Sequence, residues 1–348
     1  MTSTPAPAPS PAVSDPPPAP SGPELMDQLG WDEVTPENLD FLKATGVDCL
    51  RVHVPRQLAD GADRTEEFRR LRGLIESHGL RLASLHASGL PKDKIVYGQE
   101  GREEQLEVWL AVLRAIGGAG VPITGLTFQP IGHFRTASTP GRGGAQYSTF
   151  DMEAYRRDPR QFAGDTRGAA AFQGRELSEE ALWESARWFF TRVVPAAEAA
   201  GVRIALHPDD PPIPDPLGGA ARIVTSIENY DRIYNLAPSP ANAMLFCQGC
   251  VAEMGEDIYE AIAYAASAGR IAYVHFRDIR GTPYDFQEVF IDEGQNDMLR
   301  AMETYRDNGF AGPFMMDHTP RLPQGFDHWH GHAYANGYIK ALLKTVYR

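Results

Sequence analysis

The amino-acid sequence predicts an α/β protein built as a closed (β/α)8 barrel, the TIM barrel fold. Short apolar runs alternate with helical segments along most of the 348 residues, which is typical of a parallel sheet. Residues that can bind a metal ion end four successive apolar runs, and successive strand ends meet at one mouth in a closed barrel. The alternative, an open doubly wound sheet, requires a glycine-rich phosphate turn after its first strand, and the sequence has none there.

Residues 1–23 predict a disordered tail ahead of the barrel. Nine of these residues are proline, and alanine and serine make up most of the others. This Pro/Ala-rich composition favours an extended chain without a core of its own. The segment also lacks the basic and apolar regions of a secretory signal peptide. A single barrel domain is therefore expected over residues 24–348.

Four apolar runs predict the first half of the barrel. The first is weak and the others are clear, at residues 25–29, 47–53, 81–86 and 123–128. Thr35 and Pro36 are typical of a helix N-cap and first helical position, and Gly46 is typical of a C-terminal stop. Apolar residues at positions i, i+3, i+4 and i+7 predict an amphipathic helix over residues 103–116.

A long polar, glycine-rich stretch interrupts the alternation at about residues 133–174. Ordinary connections between strands and helices are much shorter than this. The stretch therefore predicts a functional lid or a loop insertion within the barrel domain. Helical pattern resumes after it, over residues 177–200.

Each of the next four predicted strands ends on a potential metal ligand. The runs cover residues 203–207, 243–247, 271–275 and 312–317, and their last residues are His207, Cys247, His275 and Asp317. One histidine at a strand end is more often a hydrogen-bonded core residue than a ligand. Four ligand-type residues in succession, spaced by 40, 28 and 42 residues, favour a metal site instead. Two imidazoles, a thiolate and a carboxylate would then surround one divalent cation.

Two residues next to these ligands are candidates for catalysis. Arg277 follows His275 by two residues and is predicted to clamp a substrate carboxylate as a bidentate donor; the alternative is a surface ion pair with Asp278. His318 directly follows Asp317 and is predicted to be a general acid or base beside the metal; the alternative is a supporting contact.

The loop of residues 207–212, His-Pro-Asp-Asp-Pro-Pro, places two carboxylates in a stiff turn at the predicted mouth. Asp209 or Asp210 is predicted to orient a ligand or a substrate hydroxyl, and the alternative is an ordinary Asp-Pro turn. Cys250 completes a Cys-x-x-Cys motif with Cys247, but a zinc ribbon needs a second pair. Only Cys49 remains, so Cys250 is expected to be a buried thiol.

Charge and cysteine content exclude several kinds of partner. The net charge of −13 argues against nucleic acid, although a buried metal would still allow an anionic substrate. No apolar stretch reaches the roughly 18 residues of a membrane span. Three cysteines form no disulfide framework, which fits a reducing compartment and predicts a cytoplasmic protein. The sequence does not fix the oligomeric state, and a homo-oligomer is compatible with it.

Taken together, these motifs resemble the mannonate dehydratase family, whose fold is like that of xylose isomerase-type barrels. The loop at residues 207–212 is the most specific match. The other matching segments are Phe128-Gln129-Pro130, Arg135-Thr136, Thr149-Phe150-Asp151, Phe246-Cys247-Gln248-Gly249, His275-Phe276-Arg277-Asp278 and Asp317-His318. The resemblance covers most of the chain after the tail.

The resemblance implies a hydro-lyase that removes water from D-mannonate, a small sugar acid, to give 2-keto-3-deoxy-D-gluconate in glucuronate catabolism. In that family, the residues that match His207, Cys247, His275 and Asp317 bind a divalent metal, usually Mn²⁺. A site with a thiolate also tolerates Fe²⁺, Co²⁺ and Zn²⁺. The resemblance implies that His318 transfers a proton in the reaction.

One position departs from the family pattern. The family pairs the histidine that matches His318 with a tyrosine shortly downstream, and Phe326 stands in the corresponding stretch here. A phenyl ring cannot transfer a proton. The residues that the sequence leaves open as substitutes are Asp327, His328, His330 and Tyr334.

This departure keeps two alternatives open. A sugar isomerase or epimerase on the same barrel would use the same proton abstraction next to a metal-bound oxygen, without expelling a hydroxyl. A non-catalytic paralogue would bind metal and sugar without turnover.

Overall fold

The structure is a computed structural model that describes residues 22–87, 89–159 and 176–348. Eight parallel strands close into a barrel, which confirms the predicted fold class. Numbered along the chain, the barrel strands are β1 (Glu24–Gly30), β2 (Cys49–His53), β3 (Arg81–His86), β4 (Ile123–Thr127), β7 (Arg203–His207), β8 (Asn242–Cys247), β9 (Ile271–His275) and β12 (Pro313–Met315). The circle closes because β1 pairs with both β2 and β12. The predicted tail lies almost wholly outside the described residues.

Helices connect the strands around the outside of the barrel. They are α1 (Pro36–Ala44), α2 (Thr65–Ser77), α3 (Asp93–Val96), α4 (Arg102–Gly118), α5 (Met152–Arg157), α6 (Glu179–Ala199), α7 (Ile227–Leu236), α8 (Gln248–Glu253), α9 (Ile258–Ser267), α10 (Met298–Asp307) and α11 (His328–Val346). Thr35 caps α1 as predicted, because its hydroxyl accepts a hydrogen bond from the Asn38 N–H at 3.3 Å. Within the described ranges, no helix has the length and apolar character needed to cross a membrane.

A second, antiparallel sheet lies outside the barrel and was not predicted. Its strands are β5 (Ala137–Pro140), β6 (Gln146–Asp151), β10 (Ile279–Thr282) and β11 (Asp285–Glu288), in the order β10-β11-β6-β5. Two of them belong to the stretch predicted as a lid or insertion, which also contains α5. Residues 160–174 of that stretch lie outside the described part of the chain, so its extent stays a prediction.

The predicted amphipathic helix packs its apolar face into the core. Trp109 on α4 is 1% exposed and meets the ring of Phe189 on α6 edge-on, with centroids 5.4 Å apart. Phe189 in turn stacks on Phe128, just after β4, at 5.6 Å. This aromatic contact joins two helices to one strand end, so the strand ends are carried on a rigid scaffold.

The last helix is tied to the first strand by a buried carboxylate. Asp27 on β1 has no exposed surface, and its Oδ2 accepts a hydrogen bond from Asn336 Nδ2 of α11 at 2.6 Å. His332 Nδ1 of the same helix lies 3.1 Å from Asp27 Oδ1. These contacts satisfy a buried charge that would otherwise be costly, and they join the two ends of the barrel domain.

We expect Asn336→Ala to lower the free energy of unfolding by about 1–3 kcal/mol, because it leaves a buried carboxylate oxygen without its donor. Urea denaturation followed by circular dichroism measures the change. Lys344→Ala, at an exposed position on the same helix, is the matched control and should stay within about 0.5 kcal/mol of the wild type. Equal effects of the two substitutions would contradict this role for Asp27.

Candidate metal centre and active site

The four predicted metal ligands converge at the mouth of the barrel. His207, Cys247 and His275 end β7, β8 and β9, and the register places Cys247 beside His275. One potential ligand atom from each of these residues and from Asp317 lies within 4.8 Å of all the others. The geometry therefore brings together a donor set of two imidazoles, one thiolate and one carboxylate.

Asp317 reaches this cluster from outside its strand, which corrects the expectation that it ends β12. The strand ends at Met315, and Asp317 has a left-handed backbone with φ of 69°. A non-glycine residue pays about 1–2 kcal/mol for that conformation. The backbone carbonyl of Asp317 accepts a hydrogen bond from Gln28 Nε2 at 2.5 Å, and its carboxylate Oδ1 lies 3.1 Å from His275 Nδ1. The turn thus directs the carboxylate towards the other ligands.

The surroundings of Cys247 favour its thiolate form. Burial alone raises the pKa of its thiol, but the Cys250 thiol, the Arg277 guanidinium and His207 together hold that pKa well below its ordinary value. Burial and the neighbouring thiolate raise the pKa of Cys250 well above the ordinary value. One sulfur is therefore ready to bind a cation, and the other remains a hydrogen-bond donor.

Cys247 in turn favours the protonated form of His207. Burial alone lowers its pKa, but the hydrogen bond and charge of Cys247 raise it to about 9. Buried imidazole, thiolate and carboxylate groups that already face one another are the ligand types that suit borderline divalent cations. The residues present therefore fit a metal ion.

Arg277 is buried beside the four candidate ligands, and its guanidinium donates hydrogen bonds to side chains of the protein. Its Nε donates to Asp317 Oδ2 at 3.0 Å, and its Nη1 donates to Glu253 Oε1 at 3.0 Å. Its Nη2 lies 3.3 Å from Cys250 Sγ. Asp278, the alternative partner, instead accepts hydrogen bonds from the backbone and side chain of Asn296. These contacts favour a role in positioning Asp317.

His318 lies between two carboxylates. Its Nε2 is 3.2 Å from Glu288 Oε1 and 3.4 Å from Asp317 Oδ2. Burial alone lowers the pKa of His318, but these two carboxylates raise it to about 9. The ring is still one-third exposed, so it is accessible to a ligand at the mouth. Its position fits the predicted general acid or base.

The two aspartates of the loop at residues 207–212 have different surroundings. Asp209 Oδ2 accepts hydrogen bonds from the N–H groups of Ile223 and Val224 at 2.9 and 3.0 Å, so it anchors a neighbouring loop. Asp210 Oδ1 accepts from Arg135 Nη1 at 2.5 Å, and its Oδ2 lies 2.9 Å from His133 Nδ1. Of the two, Asp210 contacts the residues around His318.

Several site residues were not predicted from the sequence. One ring nitrogen each of His133 and His318 and one Glu288 carboxylate oxygen lie within 4.8 Å of one another. Arg135 donates to Glu288 Oε1 at 2.6 Å. Arg135 lies within a segment that resembled the family, which was a usable signal. His133 and Glu288 had none, because they belong to the unpredicted sheet and the loop before it.

Solved structures superpose on this barrel over almost its whole length. The crystal structure of mannonate dehydratase from Streptococcus suis serotype 2 superposes with a TM-score of 0.81 at 24% identity, over 93% of this chain and 95% of that chain. A xylose isomerase domain protein from Alicyclobacillus acidocaldarius superposes with a TM-score of 0.61 at 15% identity, over 94% and 100%. These likenesses show the fold.

The sequence comparisons define the family. Mannonate dehydratase from Lactococcus lactis subsp. cremoris is 28% identical over 315 residues, which cover 80% of this chain and 87% of the relative. Mannonate dehydratase 2 from Halalkalibacterium halodurans is 27% identical over 271 residues, with 73% and 78% covered. The family model D-mannonate dehydratase (UxuA) matches residues 32–345, so the chain belongs to that family. The predicted resemblance and the predicted enzyme class, a hydro-lyase, are confirmed.

We expect Cys247→Ala to lower metal affinity, because it removes a charged ligand. Loss of a residue that only supports a ligand typically lowers metal affinity by roughly 10–100-fold, and the effect of Cys247→Ala should be larger. Elemental analysis of the purified protein after dialysis measures the stoichiometry. Cys250→Ala is the matched comparison, since it removes only a neighbour of the thiolate, and its loss of affinity should stay within that roughly 10–100-fold range. Unchanged metal content in Cys247→Ala would remove Cys247 from the ligand set.

Metal affinity should rise with pH and level off near pH 9. The pKa of His207 is about 9 in the absence of a cation, and a cation binds only the neutral imidazole. Binding below that pH must therefore release a proton, which gives up to about tenfold higher affinity per pH unit. Competition titrations with a chelating dye at several pH values measure the slope. A flat profile would show that His207 does not bind the cation.

Proposed function

We propose that this protein removes water from D-mannonate to give 2-keto-3-deoxy-D-gluconate, with a divalent cation, Mn²⁺ first, held by His207, Cys247, His275 and Asp317. The observation that carries the proposal is the convergence of these four side chains beside His318, at the mouth of a barrel whose sequence matches the family over residues 32–345. Fe²⁺, Co²⁺ and Zn²⁺ are alternatives that the same donors accept.

The reaction breaks two bonds of the sugar acid. A base removes the proton from C2, the C3–O bond breaks, and the hydroxyl leaves as water after it receives a proton. The enol that results rearranges to the 2-keto acid. A divalent cation held by His207, Cys247, His275 and Asp317 would supply Lewis-acid polarisation of the substrate, which would make its C2 proton more acidic.

The protein residues position and move protons around this site. His318 is placed by Glu288 and lies next to Asp317, so it can exchange a proton with a substrate held there. Arg277 holds the carboxylate of Asp317 in place through its Nε. Asp209 keeps the loop after β7 attached to the following segment, and so its role in catalysis is positional.

The remaining partner predictions belong to the same proposal. The substrate is a small sugar acid, without a nucleic-acid or membrane partner. All three cysteines are buried and free, which supports a reducing compartment such as the cytoplasm. Assembly into a homo-oligomer stays a prediction.

Purified protein with Mn²⁺ should convert D-mannonate, within a panel of hexonates and pentonates, into a 2-keto-3-deoxy acid. His318→Ala should lower kcat by about 10²–10⁴-fold, because it removes a proton-transfer group. A colorimetric assay for 2-keto-3-deoxy acids measures the product. His78→Ala is the matched control. His78 lies between α2 and β3, at the opposite end of the barrel, where it pairs with Asp40.

Other outcomes of this assay would decide against dehydration. Interconverted sugars without a keto-deoxy acid would assign the isomerase or epimerase function. If the protein binds Mn²⁺ stoichiometrically but converts none of the compounds, it would be assigned as a non-catalytic paralogue.

A further inference from the structure

Dehydration requires two proton transfers on one substrate, one from C2 and one to the leaving hydroxyl. His318 supplies one group for these steps. Its Nε2 lies between Glu288 and Asp317, so that nitrogen is the one that faces the metal ligands. A second group of suitable chemistry within a few ångströms of His318 could contact the same substrate and carry the other transfer.

His133 occupies such a position. Its ring faces the ring of His318 edge-on, with centroids 6.3 Å apart at an angle of 83°. One ring nitrogen of His133 lies within 4.8 Å of a ring nitrogen of His318 and of a Glu288 oxygen. The His133 side chain is 35% exposed, so a ligand in the mouth can reach it.

The partner of His133 determines which nitrogen is available. His133 Nδ1 lies 2.9 Å from Asp210 Oδ2, and Arg135 fixes the other oxygen of Asp210. A proton on Nδ1 therefore faces a carboxylate, which leaves the lone pair on Nε2. The site thus contains two histidine–carboxylate pairs, His133 with Asp210 and His318 with Glu288, and their imidazoles face each other.

The residues near Phe326 are arranged differently. Asp327 and His330 pair with each other, with Oδ1 and Nδ1 2.7 Å apart, and both are more than half exposed. Tyr334 is 45% exposed and lies edge-on to Phe290 at 6.2 Å. Phe326 itself is 58% exposed. These side chains therefore lie at the surface, whereas His133 lies beside the buried carboxylates of Asp210 and Glu288.

We propose that His133 is the second catalytic proton-transfer residue of this enzyme, and that its Nε2 takes the proton from C2 of the sugar acid. The electrons of the C2–H bond form the C2–C3 double bond, and the C3–O bond breaks. His318 protonates the departing hydroxyl, which leaves as water. The enol becomes the 2-keto acid, and a proton passes from His133 to His318 through solvent to restore both residues. This assignment rests on the proposed dehydration of D-mannonate.

The test compares His133→Gln and His133→Ala with the wild type on D-mannonate with Mn²⁺. Both variants should lower kcat by about 10²–10⁴-fold and change KM by less than about threefold, because the lost group acts on the proton in transfer. Added imidazole should restore part of the activity of His133→Ala, and a series of substituted imidazoles should restore more as their basicity rises. His78→Gln, which changes a histidine at the opposite end of the barrel, is the matched control and should keep the wild-type kcat.

The outcomes separate this assignment from the proposed function. A wild-type protein that forms no keto-deoxy acid would overturn both. Wild-type activity with a kcat in His133→Gln within tenfold of it would overturn the assignment of His133 alone. A lower kcat in both variants without any rescue by imidazole, at unchanged metal content, would show that His133 only supports the structure and would also overturn it.

Discussion

Two buried guanidinium groups, those of Arg135 and Arg277, hold the acidic residues of the active site together. They contact Asp210, Glu253 and Glu288, all of which are almost fully buried. Burial and the charge of Asp210 raise the pKa of Glu253 to about 8, so Glu253 carries a proton at neutral pH. The two arginines then face the carboxylates of Asp210 and Glu288, and Arg277 also reaches Asp317. These pairings are required because a buried charge without a partner costs several kcal/mol.

This charge cluster extends directly to the metal centre. Arg277 Nε donates to Asp317, whose other oxygen lies against His275. Gln28 lies on β1, which pairs with β12 where the barrel closes, and its side chain holds the backbone of Asp317. The orientation of one carboxylate thus depends on three separate elements. The left-handed backbone at Asp317 is the local strain that this surrounding structure maintains.

The sequence predicted the parts of the site that local patterns determine. His207, Cys247 and His275 each end a continuous apolar run, and a parallel barrel brings such positions together whatever the loops do. The contact between Arg135 and Glu288 was missed because it joins residues 153 positions apart, through a small sheet whose strands have only four to six residues. Short, half-exposed strands have no periodicity that distinguishes them from loops, and long-range charge pairs leave no spacing in a sequence.

The small sheet has a mechanical consequence for the barrel mouth. β6 belongs to the connection that follows β4, and β11 belongs to the connection that follows β9. The two strands pair with Phe150 opposite Phe286. The rings of these residues also pack at 5.6 Å. Neither connection can swing aside while the other stays in place, since that would shear the ladder between them. His133 and Glu288, which precede β5 and end β11, are therefore held in place by the same small sheet.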